Sequence, residues 1–482
     1  MSEPVIIQGG MGAGVSKWTL ARAVSRLGQL GVVSGTALDS VMARRLQTGD
    51  LDGSSRRALE HFPHRGIVRR ILERYFIPGG KPPDAPFKSV SMFSLKPPRE
   101  LVQLTVAANF VEVYLAKEGH AGVVGINYLE KIQLPTLPSL YGALLAGADY
   151  VLMGAGIPRA IPALLDRLSL HQPVSMKINV HGAGPDEDHR VHFDPRDLLE
   201  QPMPPLKRSK FLAIVSSEVL AMNLAKKCTG RIDGFVIEGP TAGGHNAPPR
   251  GPLRLNDQGE PVYGLKDQVD PAAFRKLGLP FWFAGSYAEP EKLQEALAAG
   301  AAGVQVGTVF AYCRESGLDD AVKQEVFARV RLGTERVFTD PVASPTGFPF
   351  KVVRLDGTLS EPEVYAARPR ICDLGYLRTA YKTKVGSVGY RCSSEPVDTY
   401  LKKDGAVEDT RGRKCVCNGL MKTIGLGQRQ KSGYVEKPLV TSGDDFFRLL
   451  TYLRGAGTSY SAADVVRRLL GAGPAVPEPV PA

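Results

Sequence analysis

A (β/α)8 barrel of the TIM type is the fold class that this sequence predicts, on three observations. Eight short apolar runs recur between residues 4 and 310, and helix-forming stretches separate them. Most of the runs are apolar throughout rather than alternating, as strands covered on both faces are. An open doubly wound sheet would need an edge strand with one exposed face, and no run has that pattern.

The eight runs are PVIIQG (4–9), GVVSG (31–35), GVVGINYL (122–129), DYVLMGAG (149–156), FLAIVSS (211–217), DGFVIEG (233–239), PFWFAGS (280–286) and GVQVGTVF (303–310). Helices are expected over 17–28, 98–118, 139–146, 160–168, 217–227, 271–276 and 290–299. Two insertions break the rhythm, at about 50–97 and 172–210. The second, with its acidic turn PDEDH, reads as a hairpin between the fourth and fifth barrel strands. The barrel domain is expected over 1–340. A Gly-, Pro-, Lys- and Cys-rich appendage follows over 341–455, and the Pro- and Ala-rich end, 471–482, reads as disordered.

Composition narrows the class. The chain has 482 residues, 43% hydrophobic and 23% charged, which is ordinary for a globular protein. No run is long enough to span a membrane, and the N-terminus lacks the basic and apolar regions of a signal peptide. A cytoplasmic protein is therefore expected. The net charge of +11 comes from scattered residues without a nucleic-acid-binding motif, so no nucleic-acid partner is expected. A mild positive field favours an anionic ligand.

Barrel chemistry sits at the C-terminal ends of the strands, and here those ends are rich in glycine: QGGMGAG, SGT, MGAGIP, EGPTAGGH, AGS and VGT. That much glycine clears the mouth for a flat, bulky ligand. The loops after the seventh and eighth runs carry Gly285 and Ser286, then Gly307 and Thr308. In such barrels, loops at those two positions often hold a phosphate through backbone N–H groups, ordinary strand-to-helix turns being the alternative. His245, behind Gly243 and Gly244, is expected to face the chemistry as a group that titrates near neutral pH.

The motifs PVIIQGGMGAGVS, GINYL, MGAGIP, EGPTAGGH, FAGSYAEPEKLQEALAAGAAGVQVGTVF and SPTGFPFK resemble, in order, those of the nitronate monooxygenase (2-nitropropane dioxygenase) family. That family comprises FMN-dependent TIM barrels related to flavin enoyl-ACP reductases, and the resemblance covers residues 4 to about 351. It implies that Gly9, Gly10 and Met11 line the flavin ring and that Asn127 lies near the flavin or its substrate. It implies that Gly243 and Gly244 contact the phosphate region and that Gly285, Ser286, Gly307 and Thr308 hold the phosphate. It makes His245 the catalytic histidine. The implied activity is oxidation of a nitronate or similar small anion with O2. Reduction of an enoyl thioester by NAD(P)H, with an acyl carrier protein as partner, is the alternative. An accessory flavoprotein without turnover is a third reading. The stretch GPT before AGGH departs from the family pattern and bears on the substrate.

Six cysteines are present. Cys228 and Cys313 read as core thiols. Cys372, Cys392, Cys415 and Cys417 cluster in the appendage. They could hold zinc or an iron–sulfur cluster, with reduced buried thiols as the equal alternative. His181, His189 and His192 fall in the inserted hairpin, where their spacing could suggest a metal but the acidic, turn-like setting favours surface residues. Lys177, in the same hairpin, reads as structural rather than as a barrel-mouth cation.

Overall fold

The computed structural model describes residues 3–199, 201–333, 336–453 and 457–471. The tail expected over 471–482 lies, beyond Gly471, outside the described residues.

Eight parallel strands close into a barrel: β1 (Ile6–Gln8), β2 (Leu30–Ser34), β3 (Val124–Leu129), β4 (Tyr150–Gly154), β7 (Lys210–Val215), β8 (Gly234–Glu238), β9 (Phe281–Ala284) and β10 (Gly303–Val306). Between β4 and β7, the strands β5 (Val174–Lys177) and β6 (Arg190–Phe193) pair as an antiparallel hairpin outside the barrel. Each of the eight apolar runs overlaps one barrel strand, whose start lies within a residue or two of the run's own. Closure removes the edges that an open sheet would expose.

Side-chain alternation divides the strands into two faces. The inner one is dry, with Ile7, Val32, Leu152, Leu212, Val236 and Trp282 filling the barrel. Outward residues such as Ile6, Val33, Ile126, Phe235 and Val304 pack under the helices. Trp282 Nε1, the one polar atom of that side chain, donates to the carbonyl of Pro4 at 2.7 Å. The barrel closes where β1 meets β10, with Ile6 beside Val304 and Gln8 beside Val306. There Gly303 lies so close to β1 that a Cβ would stand 1.8 Å from the Val5 carbonyl oxygen.

The chain after the barrel returns to it. The strands β11 (Val337–Asp340) and β12 (Phe350–Val353) form a hairpin, and β13 (Thr379–Lys382) and β14 (Val388–Arg391) form another. Phe446, Leu449, Tyr460, Val465 and Leu469 join the core that wraps the barrel. In the appendage, Arg368 and Glu436 form a fully buried two-point ion pair at 2.8 and 2.7 Å, with Gln430 donating to the same carboxylate.

Because overpacking against a backbone atom cannot be relieved by a rotamer change, Gly303→Ala is expected to cost more than the ~1–3 kcal/mol usual for an added methyl. Urea unfolding measures this. A midpoint equal to the parent's would show that the β1–β10 seam has slack.

Candidate active site at the barrel mouth

The C-terminal ends of the strands surround a cavity of about 230 Å³. Gly9, Gly10, Met11, Asn127, Gly243, Gly244, His245, Gly285, Ser286, Gly307 and Thr308 all line it, so the structure brings together every residue expected at the mouth. The glycines have a second purpose. A Cβ on Gly10 would stand 2.4 Å from that of Asn127, so Gly10 is needed for strand-to-strand approach as well as for an open floor.

A segment from far along the chain roofs the side of the cavity at the loops after β8 and β10. Thr441, Ser442, Gly443 and Asp445 line the same cavity. Gly443 N–H donates to Thr308 Oγ1 at 2.9 Å, and Gly244 N–H donates to Thr441 Oγ1 at 3.1 Å. The backbones of Gly243 and Gly443 touch, and a Cβ on Gly243 would stand 2.8 Å from the Gly443 nitrogen. Lys351 anchors this strap by donating to Asp444 at 2.7 Å. Burial pushes the Asp445 carboxyl up to about 6. None of the described residues lining the cavity is Lys or Arg. An anion here would be met by backbone N–H groups and not by side-chain cations.

His245 is held on both sides. Its Nε2 lies 2.7 Å from Ser344 Oγ, and its ring packs at 4.8 Å on that of Phe350. Its backbone bridges to Phe350, and Lys351 N–H donates to the Gly244 carbonyl. Burial pushes the imidazole down to about 4. This corrects the expectation of a group titrating near neutral pH: the enclosure that positions the ring also disfavours its cation.

The group brought near neutrality is one that sequence reading missed. Glu238, the last residue of β8, lines the cavity, and burial pushes its carboxyl up to about 8. Counting alternate residues back from Glu238 to the inward-facing Val236 would have placed it. Gln305 and Tyr376 also line the cavity and were missed. Tyr376 donates to the buried Asp39 at 2.5 Å and lies 2.7 Å from Ser40 Oγ. With Ile132, Leu374 and Leu377, it also borders an adjoining cavity of about 250 Å³.

Cys372, Cys392, Cys415 and Cys417 line one small cavity of about 10 Å³, and Cys417 reaches the central cavity too. All four are free, and burial pushes each thiol up. Among the described residues, no three His, Cys, Asp or Glu side chains are arranged to hold a metal ion. The zinc or iron–sulfur option therefore finds no support here. In the hairpin, Lys177 is exposed and lies 3.9 Å from Asp188, while His189 lies 3.0 Å from Glu187. No helix among the described residues is long and apolar enough to cross a membrane.

Residues 189–340 match the family model for nitronate monooxygenase. The chain is 31% identical over 146 residues to a probable nitronate monooxygenase of Staphylococcus haemolyticus (strain JCSC1435), covering 30% of this chain and 38% of that protein. It is 26% identical over 161 residues to the (3aS,4S,5R,7aS)-5-hydroxy-7a-methyl-1-oxo-octahydro-1H-indene-4-carboxyl-CoA dehydrogenase of Rhodococcus jostii (strain RHA1), covering 32% of this chain and 41% of that protein. The solved structure of FabK from Thermotoga maritima aligns with 98% of this chain and 92% of its own, at 15% identity and a TM-score of 0.47. The match spans about two fifths of the length of these two curated relatives. Residues 189–340, within the barrel, are thus related to the nitronate monooxygenase family.

A histidine whose neutral form is favoured by folding makes stability depend on pH. With a folded value of about 4 against 6.5 unfolded, the unfolded chain binds the extra proton between those limits. His245 thus adds stability that is whole above pH 6.5 and is lost as pH falls towards 4. Denaturant titrations from pH 7 to 4 should show a shallower loss for His245→Gln than for the parent. Parallel curves would contradict a buried neutral imidazole.

Proposed function

We propose that the protein is an FMN-dependent oxidoreductase resembling nitronate monooxygenase, oxidising a nitronate or similar small anion with O2. The observation that carries this reading is the convergence of the glycine-rich strand ends, both phosphate-type loops and His245 on one cavity. The family match over 189–340 supports it.

The cavity suits a flavin in three respects. Gly9, Gly10 and Met11 offer a floor with little side-chain bulk, on which a flat ring would lie. Gly285, Ser286, Gly307 and Thr308 offer backbone N–H groups to a terminal phosphate. Gln305 Oε1 is buried with no hydrogen-bond partner. In this reading Asn127 lies near the ring and Gly243 and Gly244 near the phosphate. The bound flavin would supply the electron transfer, and the protein supplies position and electrostatics. The strap at 441–445 lies against the loops at Thr308 and Gly244.

His245 works in this reading as a neutral hydrogen-bonding group. Ser344 engages Nε2 and fixes the ring. Nδ1 has no partner among the described residues and is free to orient a substrate oxygen or accept a proton from it. A base held at about 4 is weak at neutral pH, so orientation outweighs proton removal.

A second reading is reduction of an enoyl thioester by NAD(P)H, with the substrate carried on an acyl carrier protein. The adjoining cavity favours it. It meets the first at Tyr376, and Lys131 and Arg378 line it, so a longer ligand with an anionic end has room.

Anaerobic mixing separates the two. A nitronate should bleach the flavin while NAD(P)H does not; rapid bleaching by NAD(P)H would overturn the first reading in favour of the second. His245→Ala should keep its flavin and lose roughly 10²–10⁴-fold in turnover. His245→Gln should recover part of that loss, and full activity in the alanine variant would remove His245 from the site.

A further inference from the structure

The cavity floor holds two polar groups that lack hydrogen-bond partners among the described residues. Alternation along β8 puts Glu238 on the same side as Val236, which belongs to the dry core inside the barrel. Glu238 therefore stands on top of that core, facing the cavity. Its carboxyl makes no hydrogen bond or ion pair among the described residues, and no Lys or Arg lines the cavity to neutralise it.

Gln305 occupies the same level on the other side of β9. Ala284 is in register with Glu238 on β8 and with Gln305 on β10. The two long polar side chains thus flank one small residue, their backbones ~10 Å apart at two strand spacings. Gln305 Oε1 is buried and unpartnered. An unsatisfied buried polar atom is costly, and one that stands level with a cavity-facing carboxyl lacking a hydrogen-bond partner points to a ligand that engages both.

We propose that Glu238, as a neutral carboxylic acid, donates a hydrogen bond to an acceptor on the polar edge of the ring bound at the barrel mouth, while Gln305 Oε1 accepts from a ring N–H. The pairing calls for a heterocycle that presents a carbonyl or bare ring nitrogen and an N–H along one edge, as the pyrimidine ring of a flavin does. This assignment rests on the flavin reading above. Glu238 is a positioning and tuning residue, distinct from His245, which is held from outside the barrel by Ser344 and Phe350.

Three features support the neutral form. The carboxyl sits above apolar residues, lacks a cation, and is pushed up by burial to about 8. A neutral donor stabilises the negative charge that a flavin ring gains on reduction, whereas a carboxylate at that place would repel it. The acid therefore favours the reduced state of the bound group.

The test uses the full chain, stripped of flavin and reloaded with FMN. Glu238→Gln keeps an N–H donor and should hold FMN within about threefold of the parent's affinity, with a similar potential. Glu238→Leu should bind FMN about tenfold more weakly. Its equilibrium constant for two-electron reduction should also fall about tenfold, a shift of ~30 mV to lower potential. Should Glu238→Leu fail to fold, infrared difference spectra decide. The C=O band of a protonated carboxyl should shift when FMN binds the parent and be absent from Glu238→Gln. A leucine variant with parental affinity and potential, or no such band, overturns the assignment while leaving the flavin reading intact. A parent that binds no flavin overturns both.

Discussion

Closure of the barrel at the β1–β10 seam is the constraint on which the rest depends. Gly303 lets β10 lie against the carbonyl of Val5, and the register that follows sets Gln8 beside Val306. Only a closed ring of parallel strands brings eight C-terminal ends to one mouth. Gly9 and Gly10 after β1, Asn127 on β3, Glu238 on β8 and Gln305 on β10 then face a common space. These residues are scattered over some 300 positions of sequence and share no local signal. Their meeting is a product of topology.

The same enclosure sets the electrostatics. A cavity with a dry core below and a polypeptide strap above penalises charge of either sign. It holds His245 in its neutral form and Glu238 in its acid form at neutral pH. On the barrel floor and at His245 the site therefore offers neutral donors and acceptors. Asp445, on the strap, is the exception: its carboxyl is also pushed up, but only to about 6, so it still carries charge at neutral pH.

Much of the fold is legible in the sequence, because parallel strands covered on both faces must be apolar along their length. FLAIV and GFVIE announce β7 and β8 without reference to anything distant. The glycines at the strand ends are legible for the same reason. The strap at 441–445 is not: a TSGDD run is ordinary loop chemistry, and what gives it a role is contact with Thr308 and Gly244, more than a hundred residues away. Glu238 lay within a quoted motif but escaped notice beside the more conspicuous histidine. The direction in which burial shifts either group is a property of the packed cavity, which no local pattern encodes. The four cysteines mark the opposite limit, because their convergence on one small cavity does not arrange them around a metal.

The central claim is that the barrel mouth is built for one flavin with a single terminal phosphate. Denaturing the purified full chain and identifying what it releases tests this most directly. The account predicts FMN in a 1:1 ratio to the chain, approached on reconstitution if purification has stripped it. Release of FAD, or a chain that takes up no flavin at all, would contradict it.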